Sequence, residues 1–209
     1  MSHGPSRLRV DHLFYTVPDL YDGIEEMGRR LGVVPTPGGV HPDYGTANAL
    51  VALGPDSYLE IIGPDPHANH GGNLMFLGMD FSASKLATWV AKASLTDPSP
   101  GLLPEVFGSV EAGHRDQPDG VRLTWLLSDP SAPRFDGVVP VLIDWQDTPH
   151  PASSLAQECE LLDLRLKHPT PSLAEDSVGG FGGGITVAYS DHPGLTATLD
   201  TPNGTVELT

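Results

Sequence analysis

The sequence predicts an α+β fold built from repeated strand–helix–strand units, and three observations carry that reading. Glycine (24) and proline (21) are so frequent among the 209 residues that many short elements joined by turns are expected, not a helical bundle. Apolar and polar residues alternate with period two through Leu8 to Val17, the signature of a strand, and further strand-like runs follow between the turns. The strand, helix, strands order then recurs three times, in units of about 50 to 65 residues.

In the first unit, Leu8 to Val17 alternates Leu8, Val10, His12 and Phe14 with Arg9, Asp11, Leu13 and Tyr15. This predicts a strand with His12 on the more apolar face and Asp11 on the other. Asp19 is placed as the N-cap of a helix that carries Leu20, Ile24, Met27 and Leu31 at helical spacing and stops at Gly32. Gly23 and Gly28 inside it each cost roughly 1 kcal/mol relative to alanine, so the helix must gain its stability by docking on a sheet. The stretch from Gly38 to Gly45 reads as a loop, and strands are expected at Thr46 to Leu53 and Ser57 to Ile62.

The second unit reads as a strand at Lys85 to Ala93, a short helix at Pro100 to Phe107, and strands at Val121 to Leu127 and Val138 to Trp145. The third has strands at Leu161 to Lys167, Ile185 to Tyr189, Leu195 to Leu199 and Thr205 to Leu208, with a helical turn over Ser172 to Val178. Pro202-Asn203-Gly204 makes a hairpin turn between the last two.

Composition narrows the function. Eleven Lys and Arg against 27 Asp and Glu leave a net charge of −16, a field that repels phosphate backbones, so a nucleic-acid partner is excluded from the expectation. No apolar run approaches the roughly 20 residues of a membrane helix, and no membrane partner is expected. The opening Met1-Ser2-His3-Gly4-Pro5 lacks a signal-peptide core, which makes a cytoplasmic location the expectation. The single cysteine, Cys159, has no partner for an internal disulfide and reads as an inert thiol.

Each unit closes with an apolar strand interrupted by an acid: Glu60 in Tyr58-Leu59-Glu60-Ile61-Ile62, Asp144 in Val141-Leu142-Ile143-Asp144-Trp145, and Glu207 in Thr205-Val206-Glu207-Leu208. A carboxylate on a strand suited to burial is costly unless it is paired, metal-bound or turned to a wet cavity.

Asp11-His12-Leu13 through Val17-Pro18-Asp19-Leu20, the Gly38-Gly39-Val40-His41-Pro42 loop, Gly45-Thr46-Ala47-Asn48-Ala49-Leu50 and Tyr58-Leu59-Glu60 together resemble the glyoxalase-like branch of the vicinal oxygen chelate (glyoxalase/bleomycin resistance/extradiol dioxygenase) superfamily. The resemblance is strongest over 8–66, and Pro140 to Trp145 and His150-Pro151 extend it. It implies tandem βαβββ modules, over 8–66 and 84–150, that pair across 8–150 into a cup-shaped sheet around a divalent metal. It leaves 158–209 as a third, shorter βαβββ-like unit, packed on the cup or used in a homodimer.

By position, the resemblance makes His12 and Glu60 metal ligands, with Asp144 at the place matching Glu60. Thr88, Trp89 and Val90 stand where a fourth ligand would be, so the set is incomplete. If the third unit were the partner instead, Glu207 would match Glu60 and Leu164 would stand at the place of His12. A histidine and two carboxylates can still hold a divalent ion with open positions, and Zn, Mn, Ni and Fe all remain open. His41, on its glycine-rich loop, becomes a substrate contact with Asn48 behind it, and His150 is a contact of the same kind. Arg115, one of only eight arginines, is a candidate for an anionic substrate group. Trp125 and Trp145 read as core.

The function implied is a metal-dependent enzyme acting on a small oxygen-bearing metabolite, with lyase, isomerase and dioxygenase classes open. The ion would stabilise an enolate-like anion while Glu60 moves the proton. The second expectation is a metal-free protein that binds or sequesters a small molecule in the same cup.

Overall fold

A computed structural model describes residues 8–42, 44–68, 78–96, 107–116, 122–129, 137–172, 175 and 181–209. Eight strands form one sheet: β1 (Arg9–Thr16), β2 (Thr36–His41), β3 (Thr46–Ala52), β4 (Tyr58–Pro64), β5 (Lys85–Lys92), β6 (Val110–Asp116), β7 (Arg122–Ser128) and β8 (Val141–Asp144). Their order is β2-β3-β4-β1-β5-β8-β7-β6. Outward from the central antiparallel pair β1–β5, each half repeats one arrangement, with β1 parallel to β4 on one side and β5 parallel to β8 on the other. The sheet curls until its edge strands, β2 and β6, touch. The result is a half-barrel cup.

Helix α1 (Leu20–Leu31) is bounded as its sequence predicts. The Asp19 side chain accepts from the Asp22 N–H at 3.0 Å, and Gly32 adopts a left-handed φ of 78° at the C-terminal end. The glycine that propensity argues against has a packing reason: a Cβ on Gly23 would lie 2.5 Å from Val17 Cγ1, where the helix presses on the sheet. No helix among the described residues is long and apolar enough to cross a membrane.

The remaining strands, β9 (Glu160–His168), β10 (Ile185–Tyr189), β11 (Gly194–Thr201) and β12 (Gly204–Leu208), make a second sheet in the order β10-β9-β11-β12. The linear succession of strands is as read from the sequence. The pairing differs, because β10 lies parallel against β9 and β11 occupies β9's other flank, an order that the first two halves do not share. This sheet covers the outer face of the cup: Leu164, Leu166, Ala197, Leu199 and Leu208 join one core with Leu13, Leu59, Ile61, Trp89 and Ala91. It also ties to α1, since Asn203 Nδ2 donates to the Arg29 carbonyl at 2.9 Å and the Arg30 guanidinium reaches the Glu207 carbonyl. Glu207 itself is exposed, far from the inner face.

Two strands escape the sequence reading. β2 was expected as a loop because Pro37, Gly38 and Gly39 weaken strand propensity, and β6, with Gly113, lacks the apolar alternation of a buried strand. Both are sheet edges, where such residues are tolerated. The helix expected at Pro100 to Phe107 lies outside the described residues except for Phe107, and most of the helical turn at Ser172 to Val178 does as well. Cys159 is buried, and burial, with the Glu158 and Asp200 carboxylates adding to it, pushes its thiol up to about 11, in keeping with an inert role.

Candidate active site

The inner face of the cup encloses a cavity of about 330 Å³, near the lower end of the roughly 300 to 1,000 Å³ typical of small-molecule sites. Alternation on the central strands decides what lines it. From the first half come His12 and Phe14 on β1 and Tyr58 and Glu60 on β4, and from the second Val90 on β5 and Ile143 on β8. On these central strands the first half presents an imidazole and a carboxylate and the second two aliphatic side chains, while the edge strand β6 adds Glu111 and His114.

His12 is 4% exposed, stacked on Tyr58 with ring centroids 4.6 Å apart and edge-on to Phe14. Its Nδ1 lies 2.7 Å from Oδ1 of Asp11. An ionised carboxylate only accepts, so Nδ1 carries the hydrogen and Nε2 is the ring atom left for a ligand. Strict alternation would turn Asp11 away from His12, into the outer core. The pairing of β1 with β5 instead jumps from Val10–Ala91 to His12–Val90, so Asp11 is the extra residue of a β-bulge, a feature that re-aims a side chain.

Fully buried, Asp11 accepts two further N–H groups. Trp145 Nε1 donates at 3.1 Å and His150 Nε2 at 3.2 Å. The His150 tautomer follows from its other nitrogen, which accepts the Ala152 N–H at 3.2 Å, so Nε2 bears the hydrogen. Burial by itself raises the Asp11 carboxyl, but the hydrogen bonds from His12 and His150 and the electrostatic attraction of these rings outweigh it and hold the group well below the usual carboxylate range. Asp11 is the functional residue that the sequence reading missed. The available signal was the one applied to Glu60: an acid inside an apolar strand.

Glu60, 4% exposed, is held from behind. Asn48 Nδ2 donates to Glu60 Oε1 at 2.6 Å, and Asn48 Oδ1 accepts the Gly39 N–H at 2.6 Å, which fixes the amide's orientation. Among the described residues no hydrogen bond engages Glu60 Oε2. Asn48 therefore supports the carboxylate and does not itself line the cavity. A Cβ on Gly38 would lie 2.0 Å from Asn48 Oδ1. Gly38→Ala is accordingly expected to lower stability by about 1 to 3 kcal/mol, read as a fall in the urea midpoint at unchanged slope.

The other residues singled out in the sequence divide. His41 lies at the cavity mouth, its Nδ1 3.0 Å from Thr46 Oγ1. His150 sits behind Asp11 and outside the lining, its ring centroid 5.6 Å from that of Tyr58 and 5.8 Å from that of Trp145. Arg115 belongs to β6 opposite Leu123, and its side chain lies outside the described residues. Trp125 and Trp145, expected in the core, line the cavity with ring centroids 5.4 Å apart.

Asp144 does not join His12 and Glu60. Its Oδ2 accepts the Leu95 N–H at 2.8 Å and its Oδ1 the Gln146 N–H at 2.9 Å, so both oxygens cap backbone outside the cavity lining. Among the described residues no three His, Cys, Asp or Glu side chains group so as to hold a metal ion. The three-ligand set carried over by the resemblance therefore does not fit the donors present: His12 and Glu60 share the cavity, and aliphatic Val90 and Ile143 face them from the other half.

A family model described as a glyoxalase-like domain matches residues 10–178. No curated protein sequence matches the chain. Similar solved structures include methylmalonyl-CoA epimerase from Mycobacterium tuberculosis, 17% identical, covering 68% of this chain and 89% of that one, with a TM-score of 0.40. A Streptomyces coelicolor methylmalonyl-CoA epimerase variant in complex with 2-nitronate-propionyl-CoA is 19% identical, covering 70% and 100% of the two chains, with a TM-score of 0.41. A variant of 4-hydroxymandelate synthase from the same organism is 12% identical, covering 98% of this chain and 62% of that one, with a TM-score of 0.48.

Proposed function

The chain belongs to the glyoxalase-like domain family of the vicinal oxygen chelate superfamily, and we propose that it is an enzyme that moves a proton on a carbon next to an oxygen of a small metabolite held in the cup. One observation carries this reading. Two buried titratable side chains, His12 and Glu60, are each gripped on the far side, by Asp11 and Asn48, while the other end of each is free to meet a ligand in the same cavity. Burying polar groups with half their bonding capacity unused is costly, and such groups in a cleft are functional candidates.

The division of labour follows from the bonding. Glu60, through Oε2, takes the proton from carbon, and the C–H electron pair moves toward the neighbouring carbonyl oxygen. His12 faces that oxygen through Nε2, the ring atom that its bond to Asp11 leaves open, and exchanges a proton with the substrate there. Returning the proton to carbon on the same or another atom completes an epimerisation or isomerisation. Asp11 fixes the ring's orientation and keeps a hydrogen on Nδ1, which confines proton exchange to Nε2. No step is derived through a metal, because the donor set does not supply one.

The test is hydrogen–deuterium exchange in D2O, followed by proton NMR, on a panel of small aryl and hydroxy ketones with chelator-treated protein. Exchange at the carbon beside the oxygen, above buffer background, is expected. Exchange that appears only after a divalent ion is added would overturn the metal-free assignment. Binding across the panel with no exchange would favour the second reading, a metal-free binding protein, which the aliphatic pair Val90 and Ile143 supports.

A further inference from the structure

The electrostatics of the cavity wall restrict what can enter, whichever chemistry follows. Its deep end carries the buried carboxylate of Glu60, and its rim carries a second carboxylate, Glu111. Among the described residues, no lysine or arginine lines it. A ligand carboxylate or phosphate brought against Glu60 would leave water for a like charge with no described lysine or arginine to meet it, only the imidazoles of His12, His41 and His114. The uncommitted oxygen of Glu60 instead calls for a hydrogen-bond donor.

Beside aliphatic Val40, Val90, Leu127 and Ile143, the wall carries aromatic rings. Phe14 and Tyr58 flank His12 from the first half, and Trp125 and Trp145 stand on the second at 64° to one another. Aromatic faces favour flat rings, by stacked or edge contacts, and favour cations over anions because the ring face is negative. The volume of about 330 Å³ limits the guest to a small ring system.

We infer that the cup selects a non-anionic, planar ring compound that presents a hydroxyl or amine donor to Glu60. This deepens the proton-transfer reading by naming the substrate class, and it rests on that reading only for what happens after binding. The expectation that Arg115 receives an anionic group is the competing one.

Three probes that share one ring and differ in charge decide it: 2-naphthol, 2-naphthylmethylamine and 2-naphthoate, titrated at neutral pH by calorimetry and ligand-observed NMR. The hydroxyl and amine probes are expected to bind, with the carboxylate at least about tenfold weaker. Glu60→Gln should narrow that gap, and Trp125→Ala should weaken the two favoured probes. The wild-type ranking suffices if either variant fails to fold. Naphthoate binding as tightly as the others, or no probe binding at all, would overturn the inference. Loss of naphthoate binding in Arg115→Ala would then establish the anion-binding alternative. Charge selectivity without hydrogen exchange on any ketone sinks the proton-transfer reading and leaves this one standing. Exchange on an anionic ketone does the reverse.

Discussion

Asp11→Leu is expected to destabilise the protein by about 3 to 5 kcal/mol, the range for removing one member of a buried charged network. The carboxylate accepts the N–H groups of His12, Trp145 and His150. Leucine fills similar space and leaves all three donors without that acceptor, His12 buried and Trp145 and His150 half-buried. Asp11→Asn should cost less, since its carbonyl oxygen still accepts one donor while its amide N–H groups face others. Chemical denaturation at neutral pH ranks the three proteins. A loss for the leucine variant no larger than that of a surface substitution would show that the network does not hold the two halves together.

The same residue predicts a pH dependence with a definite sign. The ordinary aspartate value is 3.8, and the folded protein holds Asp11 well below it. The unfolded chain therefore binds the proton first as pH falls, and the stability that Asp11 contributes is complete above the unfolded value and lost as pH drops toward the folded one. The stability difference between wild type and Asp11→Asn should hold steady at neutral pH and shrink below about pH 4. A difference that grows with acid would contradict the assignment of Asp11 as an ionised acceptor.

Glu60→Gln is expected to lower the exchange rate about 10²- to 10⁴-fold, the usual contribution of a positioned general base. Glutamine keeps an oxygen to accept from Asn48, so the melting temperature should move little. That separation distinguishes a base from a structural acid. His12→Gln should depress the rate as well, with the added loss of the ring that stacks on Tyr58. An unchanged rate in Glu60→Gln would remove the carboxylate from the chemistry.

Much of this site was legible from local sequence because its carriers are strand residues. Alternation placed His12 with Phe14, and both line the cavity. The acid inside Tyr58 to Ile62 marked Glu60 as a group in need of a reason. Asp19 and Gly32 bracketed α1 through capping chemistry that acts over three or four residues. Asp144 carried the same sequence signal as Glu60 and had a different cause, since its oxygens hold the backbone of Leu95, 49 residues away, and of Gln146.

The sequence by itself determined the strands other than β2 and β6, the helix and its ends, and the choice of an imidazole and a carboxylate for one half of the cup, because propensity, capping and period-two burial act between near neighbours. Tertiary structure alone decided that Asp11 faces inward. That requires a bulge in the β1–β5 register and two partners, Trp145 and His150, that are 134 and 139 residues distant. It also decided that the last four strands make a separate covering sheet and that the glycine-rich β2 pairs as an edge. Strand pairing joins backbone groups across long loops, so its register depends on which apolar faces must be buried together, a property of the whole chain.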